Sequence, residues 1–501
     1  MLFRSAQILL LHIGEVLLRQ FDVEVRFLIL GDGPMLADYR ALAPTSTAPR
    51  RDPDAITQAV QALRAEGFDR AIVNTTVSGA AARALHAAGI GFVSLIHELP
   101  TLIREYRLEA EVADLQALAA HLVFPAAVVR DGFLGFGERP PAGEVHVRPQ
   151  GLYNQRIAQA APPRAQARET LGLPADARVV MNVGYADSRK GFDLFVRVAQ
   201  AMADADPRVH FIWVGNATAD IQNWLLPDLR QGPLAGRFRL TGHVSDVETY
   251  YAAADVFLIT SREDPFPSVV MEAMQAGLPV IGFSGSGGCV DLYREHGSLV
   301  ERHDTAAICA AIRGHLELDP ARAADAAEQR RRVVREQYRF DDYCHDLVHW
   351  ADPSLRKVSV VVPNYNYAYC LPERMDSIYQ QSHPVFEVIV LDDRSPDDSV
   401  QVLREHAALR RRTIDLVVNE HNSGSVFRQW RKGAERARGE YLWIAEADDV
   451  AAPEFLEQLV AALDASGAAF AFCDSWQIDT DGKRIGESYK DYIKDRKSTR
   501  L

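Results

Sequence analysis

The feature that most constrains the fold is a regular alternation of short apolar runs with helix-like segments along most of the chain. Runs such as "VEVRFLILGDG" (23–33), "RAIVNTT" (70–76) and "GFVSLIHE" (91–98) end in glycine or polar residues and are separated by helical periodicity. Strands that alternate with helices predict parallel sheets covered by helices. We therefore expect an α/β protein whose ligands bind at the carboxyl ends of the strands.

The alternation falls into three blocks that we expect to be separate domains. The length of 501 residues is itself that of about three domains. Two Rossmann-like domains are predicted at 1–152 and 153–338, followed by a connecting segment at 339–356 and a partial α/β domain at 357–494. Residues 154–167 are rich in Ala, Gln, Pro and Arg and are interpreted as a linker.

Both ends of the chain differ from the pattern beside them. The segment "MLFRSAQILLLHIGEVLL" predicts an amphipathic helix whose preceding strand is missing, and it lacks the cleavage site of a signal peptide. Residues 495–501 do not continue the pattern before them. We therefore expect a fragment that lacks its first strand and that carries a non-native tail at 495–501.

Charge and composition exclude several classes of protein. The formal net charge of −13 argues against a nucleic-acid partner, because phosphate backbones are held by an excess of Lys and Arg. No apolar run reaches the ~18–20 residues of a transmembrane helix. Five scattered cysteines without a CxxC pair argue against a zinc site or disulfide framework and for a cytoplasmic location. Basic runs at 330–332 and 410–412 are interpreted as solvated helix faces, and a peripheral contact with the inner face of the plasma membrane stays open.

The segment "ITSREDPFPSVVMEAMQAG" in the second block carries two acidic side chains near the end of a strand. Asp264 lies in the loop, and Glu272 lies in the opening turns of a helix that Ser268 is placed to cap and that ends at Gly277. The two carboxylates could converge on sugar or ribose hydroxyl groups. For Glu272 alone, an acid that complements the helix dipole is the simpler interpretation.

Positive charge and flexible backbone in the same block predict a phosphate site. Lys190 follows a strand that ends in a Gly turn, with Arg189 beside it, and a cation there can stabilise a departing diphosphate. The loop "GFSGSGG" (282–288) offers backbone amides to phosphate oxygens. Each signal alone is weak, since most Gly-rich loops are turns and the chain has no GxxxxGK[ST] sequence.

In this order the motifs resemble the C-terminal domain of the group 1 (family 4) glycosyltransferases, which are retaining enzymes of the GT-B fold. The resemblance rests on the Lys-Gly after the first strand, "LTGHVSDVETYYAAADVFLITSRED", "MEAMQAGLPVI" and the Gly-rich loop. It implies no cofactor and no protein nucleophile, because the departing diphosphate helps to deprotonate the acceptor. By the resemblance Lys190 binds the donor diphosphate, Asp264 lies near the donor sugar, Glu272 binds the ribose, and Gly287 and Gly288 cradle phosphate.

The sequence departs from the family pattern at two positions, and the resemblance also implies a role for one residue of the first block. Asp264 stands where the family usually has Glu, and Tyr185 stands where it often has Arg, so Lys190, helped by Arg189, is left with most of the phosphate charge. In the first block, "SLIHELP" places His97 at a strand end. A histidine satisfied by backbone is the alternative interpretation. The resemblance implies that His97 contacts the donor sugar, in an acceptor-side domain.

The third block ends a strand in three acidic residues, in "YLWIAEADDV" (441–450). Glu446, Asp448 and Asp449 repel one another unless a cation lies between them, and oxygen ligands without His or Cys suit Mg²⁺ or Mn²⁺. Such an ion can neutralise the diphosphate of a nucleotide sugar. The alternative is that the acids cap the helix that begins in "DVAAPEFLEQLV".

This block resembles the nucleotide-binding half of the group 2 (family 2) glycosyltransferases, inverting enzymes of the GT-A fold. The resemblance runs from 357 to about 492 and includes "SVVVPNYN", "FEVIVLDDRSPDDS" and "CDSWQIDTDGKRIG". The base of that family comes from a later segment, so the module is expected to be truncated and to transfer poorly. By the resemblance the nucleotide sugar contacts Pro363, Asn364, Asn366, Asp392 and Asp393. The metal is bound by Asp448 together with Glu446 or Asp449, since the common form of this motif is Asp-x-Asp.

The sequence therefore predicts a glycosyltransferase in which a GT-B module is followed by a partial, metal-dependent GT-A module. Its partners would be a nucleotide-diphosphate sugar and a glycan or lipid-linked acceptor of surface polysaccharide or lipopolysaccharide biosynthesis. A non-catalytic nucleotide-sugar sensor or scaffold is the main alternative. A Rossmann oxidoreductase is disfavoured, because no strand is followed by GxGxxG.

Overall fold

A computed structural model describes residues 4–21, 23–203, 205–410, 412–479 and 482–488. The chain forms two compact units, one made of the residues up to Gly14 with Val25–Ala351 and the other of Glu15–Glu24 with the residues from Asp352 onward. Within the described residues, no helix has both the length and the apolar character needed to span a membrane. The expected tail at 495–501 lies outside the described residues.

The amino-terminal part contains a four-stranded parallel sheet in the order β3-β4-β5-β6, while β1 and β2 form a separate parallel pair. The predicted run 23–33 is a strand only at Phe27–Ile29. A 3-10 helix (Thr76–Ala81) follows β3. The elements are α1 (Arg4–Gln20), β1 (Phe27–Ile29), α2 (Leu36–Leu42), β2 (Thr45–Thr47), α3 (Pro53–Ala65), β3 (Arg70–Asn74), α4 (Ala82–Ala87), β4 (Gly91–Leu95), α5 (Pro100–Glu105), α6 (Glu109–Leu118), β5 (His121–Phe124), α7 (Ala127–Leu134) and β6 (Glu144–Val147).

The next part forms a six-stranded parallel sheet in the order β12-β11-β10-β7-β8-β9. The central strand β7 is mostly apolar, and its inner residues are buried. This is expected for a parallel strand whose two faces are both covered by helices. The elements are α8 (Arg156–Ala160), α9 (Arg164–Thr170), β7 (Arg178–Val183), α10 (Phe192–Ala203), β8 (Val209–Val214), a π-helix (Ile221–Leu225), α11 (Leu226–Gln231), β9 (Phe238–Leu240), α12 (Val247–Ala253), β10 (Val256–Leu258), α13 (Ser268–Gln275), β11 (Val280–Phe283), α14 (Val290–His296), β12 (Ser298–Val300), α15 (Thr305–Leu316), α16 (Pro320–Gln337) and α17 (Phe340–Ala351).

The second unit contains a four-stranded parallel sheet in the order β15-β14-β13-β16, together with an antiparallel hairpin of β17 and β18. All seven residues of β13 are buried, as expected for a strand with neighbours on both sides. The elements are β13 (Val358–Asn364), α18 (Leu371–Tyr379), β14 (Glu387–Asp392), α19 (Ser399–Arg410), β15 (Asp415–Val418), α20 (Val426–Arg436), β16 (Tyr441–Ile444), α21 (Phe455–Ser466), β17 (Trp476–Ile478) and β18 (Arg484–Ser488).

Three local predictions were wrong. The expected linker at 154–167 contains α8 and the start of α9. Ser268 is the first residue of α13 rather than its cap, and its hydroxyl oxygen instead accepts a hydrogen bond from Tyr153 at 3.2 Å. Arg330 is not solvated: it is buried in α16, where its guanidinium donates to the carbonyl oxygen of Gly277 at 2.9 and 3.1 Å.

Candidate functional sites

The first candidate site is a cavity of about 270 Å³ in the first unit. Four of the residues predicted from the sequence line it: His97 after β4, Arg189 and Lys190 after β7, and Asp264 after β10. The carboxyl ends of parallel strands are where open α/β sheets bind ligands. The cavity is also lined by Glu98, Gln150, Tyr153, Tyr185 and Ser268.

A part-buried ion pair lies in the lining of this cavity. The ammonium of Lys190 contacts the carboxylate of Asp264, whose residue is only 6% exposed. The backbone amide of Lys190 donates to Asp187 Oδ1 at 2.6 Å, which fixes the loop after β7. The hydroxyl of Ser261 donates to Asp264 Oδ2 at 3.4 Å. The pair fixes the position of the Lys190 ammonium at the wall of the cavity.

His97 is held as a neutral imidazole with one nitrogen acting as a donor. Burial lowers its pKa to about 4. The amide nitrogen of Asn74 donates to the carbonyl of Ala6 at 2.8 Å, so Asn74 Oδ1 faces His97 Nε2 at 3.1 Å as an acceptor. Nε2 therefore carries the proton, and Nδ1 keeps a lone pair that can accept a hydrogen bond.

Three buried polar atoms of the cavity-lining residues have no hydrogen-bond partner: Glu98 Oε1, Gln150 Oε1 and Arg189 Nε. The other carboxylate oxygen of Glu98 accepts from Thr76 N at 3.0 Å, from Thr76 Oγ1 at 2.7 Å and from His97 N at 3.2 Å. Burial raises the pKa of Glu98 in spite of these bonds. Buried polar atoms are rarely left unpaired, so two acceptors and one donor around one cavity indicate a polar ligand.

The remaining predicted residues of this block do not line the cavity. Glu272 is buried in α13, where Tyr251 donates to Oε2 at 3.0 Å and Asn154 donates to Oε1 at 3.4 Å. Burial raises the pKa of Glu272, although both hydrogen bonds lower it. Both of its oxygens are therefore engaged within the protein.

Gly287 and Gly288 pack against the loop that carries Asp264. A Cβ on Gly287, which has φ +141°, would lie 1.7 Å from the carbonyl oxygen of Asp264. The amide of Gly288 donates to the same carbonyl at 3.3 Å. The glycines thus allow two loops to approach closely and so fix the position of Asp264 in the cavity.

The second candidate site lies at the carboxyl ends of β13 and β14. Asn364 and Asp392 are opposite one another in the two strands, and the amide of Asn364 donates to Asp392 Oδ2 at 2.7 Å. Ser395 donates to the same carboxylate, and its hydroxyl oxygen accepts from the backbone of Asn366 at 3.0 Å. The predicted Pro363, Asn364, Asn366 and Asp392 are therefore adjacent, and Asn366 has a left-handed φ of +64°.

Asp393 anchors the neighbouring loop instead of standing free. Its Oδ1 accepts from Asn419 at 2.7 Å and from Ser423 N at 2.8 Å, and its Oδ2 accepts from the Ser423 hydroxyl at 2.7 Å. Burial raises the pKa of Asp393, but the hydrogen bonds from Ser423 and Asn419 outweigh it, and the pKa is lowered. The carboxylate is therefore ionised at neutral pH.

The three acidic residues after β16 form an exposed rim next to a buried cation. Glu446 accepts from the indole of Trp430 at 2.7 Å, and Asp448 and Asp449 are exposed. Burial first, and then the neighbouring acids, raise the pKa of Glu446. Arg374 is 2% exposed and lies 4.8 Å from the ring centre of Trp443. Burial lowers its pKa to about 10, while the three acids raise it.

The sequence predicts either a helix cap or a metal site for the three acids of this rim. Helix α21 begins at Phe455 after Glu454, so none of the three acids caps it. Among the described residues, Glu446, Asp448 and Asp449 do not form a group of three ligand atoms within 4.8 Å of one another. Arg374, which no sequence pattern singled out, supplies part of the positive charge that the acids require.

Comparisons with known proteins follow the same division of the chain. Residues 177–317 match the family "Glycosyl transferases group 1", and residues 359–500 match "Glycosyl transferase family 2". Each matched segment is similar to a glycosyltransferase family. Each family match covers less than a third of the 501 residues, and both predicted family resemblances are confirmed.

Solved structures confirm the predicted GT-B fold. The crystal structure of Anabaena HepE in complex with UDP and glucose is 20% identical with a TM-score of 0.59, covering 69% of this chain and 95% of HepE. Sucrose-phosphate synthase from Thermosynechococcus elongatus is 26% identical with a TM-score of 0.50, covering 64% of this chain and 81% of that chain. These likenesses establish the fold of the part that contains the cavity.

Sequence relatives are shorter matches. D-inositol 3-phosphate glycosyltransferase 1 of Catenulispora acidiphila is 33% identical over 171 residues, which is 32% of this chain and 40% of that protein. The lipopolysaccharide core biosynthesis glycosyltransferase LpsD of Rhizobium meliloti is 33% identical over 172 residues, which is 34% of this chain and 47% of LpsD. TuaG of Bacillus subtilis, named for teichuronic acid biosynthesis, is 32% identical over 125 residues, 25% of this chain and 49% of TuaG. The chain thus spans half or less of the length of these relatives.

Proposed function

We propose that the chain transfers a glycosyl group from a nucleotide-diphosphate sugar to a glycan or lipid-linked acceptor of surface polysaccharide or lipopolysaccharide biosynthesis. The names of the relatives LpsD and TuaG support this biosynthetic setting. The complex of HepE with UDP and glucose supports a nucleotide sugar as the donor.

The observation that carries the proposal is the set of unpartnered polar atoms around the cavity that holds Lys190. Glu98 Oε1 and Gln150 Oε1 are buried acceptors suited to the hydroxyl groups of a sugar. Arg189 Nε and the ammonium of Lys190 are donors suited to phosphate oxygens. A nucleotide-diphosphate sugar carries both sugar hydroxyls and phosphate oxygens, so it would provide hydrogen-bond partners for all four residues at once.

The same residues account for the chemistry of the departing group. The ammonium of Lys190, held by Asp264, lies where negative charge would develop on the diphosphate as the sugar leaves. His97, neutral at pH 7, can accept a sugar hydroxyl through Nδ1, and its lowered pKa makes it a weak base. His97 therefore acts in this proposal as a sugar contact, and no side chain of the cavity is assigned as a nucleophile.

For the family 2 domain we propose a divalent ion at the acidic rim. The rim offers carboxylate oxygens, which Mg²⁺ and Mn²⁺ prefer, and Mg²⁺ is commonly held by one or two carboxylates and the phosphates of the substrate. Asp448 and Asp449 are the exposed members, and Glu446 lies between them and Trp430. Such an ion would neutralise the diphosphate of a bound nucleotide sugar.

The test is transfer or hydrolysis of nucleotide sugars by the full chain and by its Lys190→Ala and Glu272→Ala variants, with and without Mn²⁺. We expect the metal-independent activity to fall at least about 100-fold in Lys190→Ala, because removal of a charged group that stabilises the departing charge costs about 3 kcal/mol. Arg197→Ala, at an exposed position on α10, is the matched control and should keep its activity. Binding of the donor without turnover in the unsubstituted chain would favour the sensor or scaffold instead.

A further inference from the structure

A second cluster of titratable side chains lies on β5 and β6, away from the residues that line the cavity. His121 in β5 is directly opposite Glu144 in β6, and His146 follows two residues later on the same strand. Side chains two residues apart share one face of a sheet, so all three project from the same face. Across the described parts of the chain, this is the one group of three or more His, Cys, Asp or Glu residues whose ligand atoms lie within 4.8 Å of one another.

The three ligand atoms have the spacing that a small divalent ion requires. His121 Nδ1 lies 3.0 Å from His146 Nε2, and Glu144 Oε2 lies 3.8 Å from the first nitrogen and 3.7 Å from the second. A triangle with these sides has its corners about 2.1 Å from a common centre. Zinc binds histidine nitrogen at about 2.0–2.1 Å and carboxylate oxygen at about 2.0–2.2 Å. An ion near that centre would lie within bonding distance of all three atoms.

The donor set also has the right chemistry. Imidazole nitrogen and carboxylate oxygen are both atoms that Zn²⁺ binds in proteins. Glu144, with a side chain that is 73% exposed, leaves one side of the cluster open to solvent. Two neutral histidines and one carboxylate are a known set of zinc ligands that leaves a fourth position for water.

Helix α17 holds the cluster in place. The indole of Trp350 stacks on the ring of His146 with 4.0 Å between the ring centres and 18° between the planes. Arg148, two residues beyond His146, donates to Asp346 of the same helix at 2.7 Å. Among the described strands β6 pairs with β5 alone, so it is an edge strand of its sheet. A metal bound by both strands would fix this edge.

We propose that His121, Glu144 and His146 bind Zn²⁺ and thereby join the edge strand β6 to β5. The site uses no cysteine and no residue of the cavity, so its loss leaves the proposed donor contacts intact. Without a metal, the two imidazoles form one hydrogen bond with each other. A simple hydrogen bond between the two histidines is therefore the alternative to a metal site.

The test is a titration of the metal-free full chain with ZnCl₂ by isothermal calorimetry, and with CoCl₂ by visible absorption. We expect one equivalent in the unsubstituted chain, an affinity at least about 10-fold lower in Glu144→Gln, and loss of that equivalent in His121→Asn. Glu144→Gln changes a side chain exposed to solvent, so a failure to fold does not confuse its result.

Two further variants assign the bound ion. His86→Asn, at an exposed histidine of α4, is the matched control and should bind as the unsubstituted chain does. Asp448→Asn should also keep the equivalent, which separates this cluster from the acidic rim of the family 2 domain. Zinc binding that is absent, or that is equal in Glu144→Gln, His121→Asn and the unsubstituted chain, would overturn the proposal and leave a hydrogen-bonded histidine pair.

Discussion

Replacement of Glu98 by Gln should make the first unit more stable and at the same time weaken donor binding. One oxygen of Glu98 accepts three hydrogen bonds, while the other is buried without a partner, and burial raises the pKa of the group. The ionised form is therefore less favourable in the folded chain than in water. A glutamine keeps an acceptor for Thr76 and removes the buried charge. Its amide nitrogen takes the place of the unpartnered oxygen and offsets part of this gain, so we expect the free energy of unfolding at pH 7.5 to rise by no more than about 1 kcal/mol.

The pH dependence of this gain has a defined sign. Because the folded pKa of Glu98 lies above its ordinary value of 4.5, the native carboxyl contributes most below pH 4.5, and that contribution is lost as the pH rises through the folded pKa. The difference between Glu98→Gln and the unsubstituted chain should therefore be smallest near pH 4.5 and grow toward neutral pH.

Donor affinity should change in the opposite direction. If Glu98 Oε1 accepts a hydrogen bond from the sugar, loss of this charged acceptor costs about 1.5–3 kcal/mol, or roughly 10- to 150-fold in Kd. Urea unfolding followed by hydrogen exchange of peptides that cover β4 measures stability in the first unit alone, and calorimetry measures binding. Glu105→Gln, an exposed carboxylate on α5, is the matched control. A variant that is less stable at pH 7.5, or that binds donor as well as the unsubstituted chain, would refute the reasoning.

Three further outcomes follow from the described contacts. Arg374→Met should raise the pKa of Glu446 and of Asp449, because both carboxylates lose the nearby cation that lowers their pKa. Arg404→Met at an exposed position should leave both pKa values unchanged, and an NMR titration that finds the two variants equal would count against this. Gly287→Ala should lose the close approach to Asp264 and with it donor binding, whereas Gly314→Ala, which has open space around its Cβ position, should bind normally. The pKa of His97 is about 4, so protonation of His97 should reduce donor affinity only near pH 4 and leave it constant from pH 8 to 5.5. A loss of donor affinity with its midpoint near pH 6.5 would show that His97 is not buried as described.

The order of strands and helices was predictable because it depends on local pattern. The apolar run before each polar loop forms β3, β4, β7, β13 and β14 at the expected places. The linker prediction failed because Ala and Arg are good helix formers, and at 154–167 they form α8 and, after Pro162 and Pro163, begin α9. Arg330 was wrongly expected to be solvated, since the carbonyl of Gly277, which it binds, is distant in sequence.

The site was predictable in its charged residues but not in their partners. Lys190 and Asp264 are placed by strand ends, and the structure brings them together as an ion pair. Asn74 and Thr76 carry no distinguishing motif, yet they set the tautomer of His97 and hold Glu98. Such contacts arise from the pairing of β3 with β4, which a single sequence does not specify. The roles of Glu272, Gly287 and Gly288 as ligand contacts remain predictions.

The most direct test of the donor site is the equilibrium binding of nucleotide-diphosphate sugars to the full chain by calorimetry in metal-free buffer, for the unsubstituted protein, Lys190→Ala and Arg197→Ala. The account predicts that at least one donor binds, that Lys190→Ala weakens its binding by at least about 10-fold, and that Arg197→Ala does not change it. Equal affinity in all three proteins would contradict the assignment of the cavity at Lys190 and Asp264 as the donor site.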